Sequence, residues 1–249
     1  MSHPRFFCAL PLADGIAIDL PDSVARHAAQ VLRMPQGSEM ILFDGEGGEY
    51  PARLDIVGKA KARAQLGHRR DIERESPLSI TLAQAMQTAD KMDFTLQKAV
   101  ELGVAAFQPL ASRRSVTRLT GERLQKRESH WQGVAVAACE QCGRNRLPTL
   151  LPYANLADWL AGQEGSAGLK LMLAPEGATT FAALAAAGKP GCEKKITLLI
   201  GAEGGLDATE IAAATRAGFI SLRLGARILR TETAGVAALA VIQNLWGDF

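Results

Sequence analysis

Two glycine-bearing loops near the carboxyl end of the chain carry the residues best suited to chemistry. The first, Gly201–Leu206, lies within IGAEGGLD, and the second, Gly225–Thr231, within LGARILRTET. In the first, Gly201, Gly204 and Gly205 remove Cβ atoms where a backbone turns sharply or a ligand comes close. Asp207 and Glu210 have the spacing of a capping box, so a helix should start there with main-chain donors to spare. In the second, Arg227 and Arg230 flank Ile228 and Leu229 and run directly into Thr231, Glu232 and Thr233 at an expected helix start. The helix dipole favours a carboxylate at that position by about 0.3–1 kcal/mol, so capping alone accounts for Glu232. It does not favour an arginine. Arg230 therefore calls for a partner, which the sequence leaves open among Glu203, Glu232 and an anionic substrate.

Other chemistries are poorly supplied. IGAEGG is not a GxGxxG fingerprint and lacks an acidic residue at a strand end some twenty positions on, which disfavours a nicotinamide-dependent oxidoreductase. No GK[ST] is present for a triphosphate loop. Taken alone, the first loop also fits a purely structural turn. The four cysteines, Cys8, Cys139, Cys142 and Cys192, are too few for a disulfide framework. Only Cys139 and Cys142 form a CxxC, with no second pair or spaced histidines to complete a zinc set, so buried reduced thiols and no metal are expected.

These loops need strands to carry them. Ile196–Ile200 and Phe219–Leu224 are apolar runs of strand length, each followed by a glycine, a turn and a helix. Ligands of open α/β sheets sit outside the carboxyl ends of such strands. Upstream, the same alternation continues through LSITLAQAM, a helix over Asp90–Leu102 stopped by Gly103, VAAFQPL, a helix over about Thr120–Gln141, LKLMLAP, and an alanine-rich helix from about Thr179. Alternating strands and helices imply a mostly parallel sheet covered on both faces. The last helix, Thr231 to about Trp246, is rich in small residues and suits close packing on the sheet or a subunit interface.

Residues 5–67 read differently, as short strands RFFCAL, GIAIDL, EMILFD, EYPARLDIV and AKARAQL, with a hairpin signal at DGEGG. One helix, capped by Asp22 or Ser23 and reaching Leu32, should bury Val24, Ala28, Val31 and Leu32. This looks like a small β-barrel. His68–Pro77 is charged and aperiodic and reads as a linker, giving domains at 1–70 and 78–249 joined by 71–77. The 47% hydrophobic content against 22% charged marks a globular chain. No apolar run reaches the roughly 18 residues of a membrane span, and the amino end lacks a signal-peptide core, so a cytoplasmic location is expected. A net charge of +2 makes any nucleic-acid surface a local one, such as Arg113, Arg114 and Arg118, then Arg123, Lys126 and Arg127, then Arg144 and Arg146.

IGAEGG followed by LGARILRTETA resembles the cofactor loops of the SPOUT methyltransferases. Arg26-His27, Val31-Leu32-Arg33-Met34, Phe43-Asp44-Gly45, Lys91-Met92-Asp93, Gln97-Lys98, Glu101-Leu102-Gly103-Val104 and Ala138-Cys139-Glu140-Gln141-Cys142-Gly143-Arg144 extend the resemblance, in order, to the ribosomal small-subunit RNA methyltransferase E family. Two positions depart from that family's pattern: Ala202 stands where proline is usual, and Gln87-Thr88-Ala89 where many members carry a lysine.

The resemblance implies a PUA-like β-barrel followed by an α/β SPOUT domain tied in a deep trefoil knot, working as a homodimer. It implies methylation of N3 of a uridine in 16S ribosomal RNA of the small subunit, with S-adenosylmethionine as cofactor. Cofactor contacts would fall to Leu173, Ile200, Gly201, Glu203, Gly204, Leu222, Leu224, Gly225, Ile228 and Leu229. Arg230 would stabilise charge developing on uracil and Glu232 would be the proton acceptor, while Arg26, Arg33, Arg113, Arg114, Arg118 and Arg144 would touch RNA. Action on another RNA such as tRNA, or a non-catalytic RNA-binding assembly role, are the alternatives.

Overall fold

The computed structural model describes residues 3–56, 61–188 and 194–249; Val57 and Ala60, at the ends of two expected strands, and Cys192 lie outside them. The chain divides into two compact units, Met1–Glu75 with Val136–Leu147, and Ser76–Ala135 with Pro148–Phe249.

In the first unit, β1 (Arg5–Phe7), β2 (Ala17–Asp19), β3 (Glu39–Phe43), β4 (Tyr50–Ile56) and β5 (Ala62–Leu66) form a sheet in the order β1-β3-β4-β5-β2. The DGEGG hairpin joins β3 to β4, with Leu42 opposite Tyr50. Period-two alternation sends Ala62, Ala64 and Leu66 of β5 inward, where they meet Phe6, Leu20, Met40, Leu42 and Leu54. Helix α1 (Asp22–Arg26) continues as a π-helical turn, His27–Val31. Two expectations fail here. Pro21 occupies the cap position without a side-chain bond, and Asp22 is the first helical residue. Val24 and Ala28 are buried as expected, but Val31 is 67% and Leu32 45% exposed. The π turn inserts a residue, which rotates everything beyond it by about 100° relative to an α-helix.

Residues 68–75 are held within this unit. Arg70 exchanges two main-chain hydrogen bonds with Glu49. Asn145 donates to the Ile72 carbonyl at 2.6 Å, Arg74 to that of Gly143 at 2.9 Å, and Arg144 pairs with Glu75 at 2.6 Å.

The second unit is built on a wholly parallel sheet in the order β12-β10-β11-β6-β7-β8, with β9 also pairing β7. Its strands are β6 (Ser79–Ala85), β7 (Ala106–Ala111), β8 (Thr149–Leu150), β9 (Ala154–Asn155), β10 (Leu169–Leu173), β11 (Lys195–Ile200) and β12 (Ile220–Leu222). Helices α2 (Ala89–Glu101), α3 (Gly121–Cys142, of which Val136 onward belongs to the first unit), α4 (Leu156–Ala161), α5 (Phe181–Ala186), α6 (Ala208–Arg216) and α7 (Thr231–Trp246) alternate with them. Every residue of β11 after Lys195 is buried, as expected of a strand covered on both faces. Ala83, Met172 and Leu199 face Leu156 and Leu160 of α4 and Ala214 of α6. Gln84 and Ile200 point the opposite way, and Gly235 of α7 lies against them, so the two faces carry different helices. No helix among the described residues is long and apolar enough to cross a membrane.

Candidate functional site

The neighbouring strands β12, β10 and β11 end together, and the loops leaving them enclose a cavity of about 540 Å³. All ten residues expected to hold a cofactor line it: Leu173, Ile200, Gly201, Glu203, Gly204, Leu222, Leu224, Gly225, Ile228 and Leu229. Ala174, Pro175 and Thr231 are among the other lining residues. Two glycines are fixed by backbone packing. A Cβ on Gly201 would lie 2.8 Å from the Gly205 carbonyl carbon and the Leu206 nitrogen, and one on Gly177 would lie 2.6 Å from the Arg223 nitrogen. The Gly177 requirement went unread in the sequence, because the partner strand is far away along the chain. At Gly204 a Cβ would meet only the Arg114 side chain, at 3.2 Å from Cδ.

The first loop is braced from several sides. Gly205 donates to the Ala202 carbonyl at 2.8 Å, and Arg114 to that of Gly204 at 2.6 Å. The capping box forms as read: Glu210 N–H donates to Asp207 and Asp207 N–H to Glu210, while the Arg113 N–H donates to the second Glu210 oxygen at 2.7 Å. The Thr209 hydroxyl, then the Glu210 N–H and the Arg113 charge, hold Asp207 below the usual carboxylate range.

Thr231, the first residue of α7, is the junction that sequence reasoning passed over. Its hydroxyl donates to the Gly201 carbonyl at 2.6 Å and accepts from the amides of Gln84 at 3.1 Å and Gln87 at 3.3 Å. Thr95 in turn donates to Gln87 at 3.0 Å. A buried network therefore ties the loop after β11 to β6, α2 and α7, with Gln87 bonded on one side to Thr231 and on the other to Thr95.

The two expected catalytic residues alternate with lining residues Leu229, Thr231 and Ala234 but do not themselves line the cavity. Arg230 is the exposed N-cap of α7, makes no side-chain cap bond and has no ion-pair partner among the described residues. Both carboxylates considered for it are engaged by Lys91, whose ammonium lies 3.5 Å from Glu203 and 3.7 Å from Glu232. The other Glu232 oxygen is buried with no hydrogen-bond partner among the described residues.

The expected RNA-contact residues separate. Arg26, Arg33, Arg113, Arg114 and Arg118 are exposed, whereas Arg144 is 4% exposed and its guanidinium grips Glu75. Burial and that bidentate pairing take Arg144 out of the surface set. Arg113 and Arg114 are spent partly on the loop, the former also reaching Asp207 at 3.3 Å. Cys139 is buried in the first unit and burial pushes its thiol up to about 12; Cys142 is half-buried.

Comparison with known proteins agrees with this geometry. An RNA methyltransferase domain family matches residues 74–243, and an RNA methyltransferase PUA domain family matches residues 20–66. Ribosomal RNA small subunit methyltransferase E of Buchnera aphidicola subsp. Schizaphis graminum is 31% identical over 245 residues, 98% of this chain and 97% of its own length. Its namesake from Bacillus subtilis is 30% identical over 222 residues, covering 87% and 85%. Among solved structures, a ribosomal RNA small subunit methyltransferase E from Neisseria gonorrhoeae bound to S-adenosylmethionine is 40% identical with a TM-score of 0.88 over 99% of each chain. A Legionella pneumophila methyltransferase in complex with the same cofactor is 34% identical, with a TM-score of 0.93 over the whole of both chains. A two-unit chain with its cavity at the carboxyl ends of β10, β11 and β12, similar to these proteins over nearly all its length, belongs to the ribosomal RNA small subunit methyltransferase E family.

Proposed function

We propose that the cavity holds S-adenosylmethionine and that the protein transfers its methyl group to N3 of a uridine in 16S ribosomal RNA of the small subunit. The observation that carries this reading is the meeting of loops 201–206 and 223–229 in one cavity, in a fold whose relatives are described with that cofactor bound. The residues fit the group. Leu173, Ile200, Leu222 and Leu229 offer apolar walls. The main-chain N–H groups of Leu224, Ala226, Ile228 and Leu229 have no acceptor among the described residues, so they are available to ring nitrogens and a carboxylate.

When bound, S-adenosylmethionine supplies a methyl on a sulfonium, which makes the transfer a matter of position and electrostatics on the protein's side. Gly201 lets the turn after β11 fold back on Gly205 and Leu206, Gly177 lets the loop after β10 close on Leu222–Arg223, and Thr231 ties the start of α7 to Gly201. Such placement contributes about 7–11 kcal/mol to a two-reactant step, more than one general base supplies. Arg230, unpaired at the entrance to α7, stabilises negative charge on the uracil oxygens as N3 loses its proton. Glu232, beside the Lys91 ammonium at 3.7 Å, accepts that proton. Arg26 and Arg33 in the first unit, with Arg113, Arg114 and Arg118 in the second, hold the RNA backbone.

The remaining parts of the reading follow the family resemblance. The first unit's sheet closes as a PUA-like barrel, and the chain after β12 is threaded as a trefoil knot. Support for the knot comes from the backbone of Gly177 pressed on Leu222–Arg223 and from Thr231 bonded under Gly201. The protein works as a homodimer in the cytoplasm, for which the half-buried Ala237 and Ala240 of α7 and the 85% exposed Ile228 offer a surface for the second copy. Methylation of small ribosomal subunits and of free 16S RNA by the purified protein, read by nucleoside mass spectrometry, tests the reading. N3-methyluridine is the expected product; its absence from both substrates, or its appearance only in tRNA, overturns it.

A further inference from the structure

The π turn of the first unit gathers three features that local stability does not explain. Leu32 N–H bonds back to the His27 carbonyl and Met34 N–H to that of Ala28, both at 2.9 Å, so the helix is locally underwound, with more residues per turn than an α-helix. Arg33 follows at φ 50°, in the left-handed region that an arginine enters only at a cost. The outcome is exposure of two adjacent aliphatic side chains, Val31 at 67% and Leu32 at 45%, that an α-helical continuation would have buried. The helix is otherwise well anchored, since Val24 and Ala28 sit in the core and the His27 ring meets Phe6 edge-on at 5.5 Å.

Positive charge surrounds this apolar step. Arg26 precedes Val31 by five residues, which in π spacing places it one turn below, and Arg33 follows Leu32 directly. Both arginines are exposed and neither has an ion-pair partner among the described residues. An apolar protein partner would be served by the aliphatic pair but not by two unpaired guanidinium groups at its edges. A nucleic acid offers the matching alternation, since an unstacked base presents an apolar face between two phosphates. We propose that Val31 and Leu32 form an aliphatic platform for an unstacked RNA base, with Arg26 and Arg33 on the flanking phosphates.

This inference rests on the RNA-methylating reading, and its test separates the two. The probe is a short hairpin RNA carrying one bulged fluorescent adenine analogue, with the fully paired hairpin as control, titrated with the full-length protein. V31S/L32S should weaken binding of the bulged hairpin roughly fivefold, the scale of losing one base contact, with the salt slope unchanged and the paired hairpin unaffected. R33Q should instead reduce the salt slope by about 0.7. Calorimetric affinity of both variants for S-adenosylmethionine and their thermal midpoints should match the wild type, because the altered side chains are exposed. Equal affinity of wild type and V31S/L32S for the bulged hairpin overturns the platform while leaving methylation by the wild type intact. Loss of self-association in V31S/L32S by sedimentation, with RNA binding unchanged, overturns it in favour of a second copy of this chain.

Discussion

The Thr231 hydroxyl reaches the Gly201 carbonyl at 2.6 Å, joining the first turn of α7 to the turn that leaves β11. One side chain thus sets the distance between both walls of the cavity. Thr231→Val keeps the shape and removes the hydroxyl, taking from the Gln87 amide its acceptor among the described residues and leaving the Gly201 carbonyl only the 3.4 Å bond from Gln84. Buried groups left unpaired cost about 1–3 kcal/mol, which urea denaturation will show as a lower midpoint with an unchanged slope. Calorimetry should show weaker S-adenosylmethionine binding, and Thr231→Ser should restore most of both.

Substitutions at the glycines should rank by what a Cβ meets. Gly201→Ala and Gly177→Ala press on main chain and should abolish cofactor binding. Gly204→Ala meets a flexible arginine and should retain most of it. Binding isotherms for the three variants test the order, and equal losses at Gly201 and Gly204 would contradict the packing described.

Arg230→Ala removes a side chain that supports neither the fold nor the cavity wall. Cofactor affinity should hold, while the single-turnover methylation rate should fall by about 10²-fold or more, the usual loss for one charge-stabilising donor. A rate equal to the wild type would remove Arg230 from the chemistry.

Two carboxylates of the first unit should respond to acid in opposite senses. Burial alone would raise Glu49, but hydrogen bonds and charge from Arg5, with Asn145 and Arg74, outweigh it and leave its affinity for a proton lowered. Its contribution is present above its ordinary value of 4.5 and is lost as pH falls through the lowered one. Glu140 is raised by burial, only partly offset by the Phe7 N–H and by His27 and Arg5. Its contribution is complete below 4.5 and is lost as pH rises through the raised value. Glu49→Gln should therefore lower the thermal midpoint at pH 7, and Glu140→Gln, which keeps an acceptor for Phe7, should raise it. Both differences should shrink at acid pH, and midpoints across a pH series check the signs.

Local rules made much of this molecule legible. Periodicity located the strands to within a few residues except the two-residue β8 and β9, which it missed, the capping box started α6 where Asp207 placed it, and α7 runs over the expected span. Glycines at strand ends led to a cavity lined by every residue expected to hold a cofactor. What stayed hidden depends on partners distant in sequence. Gly177 looks like any loop glycine until Leu222 is beside it, and Thr231 looks like a helix-start threonine until Gly201, Gln84 and Gln87 converge on it. Arg144 reads as a surface cation because the chain does not announce that Glu75 will cover it. Val31 and Leu32 were misplaced for a different reason: a period of 3.6 cannot anticipate a single inserted residue.

The first unit is assembled from residues 1–75 and a return segment at 136–147 that supplies Glu140, Arg144 and Asn145 to its interior bonds. No single cut in the gene can lift it out intact. A protein excised as its first seventy-odd residues would lose the acceptor for Phe7 and the partner of Glu75 at one stroke. Any fragment meant to hold the first unit must therefore carry residues 136–147 as well as 1–75.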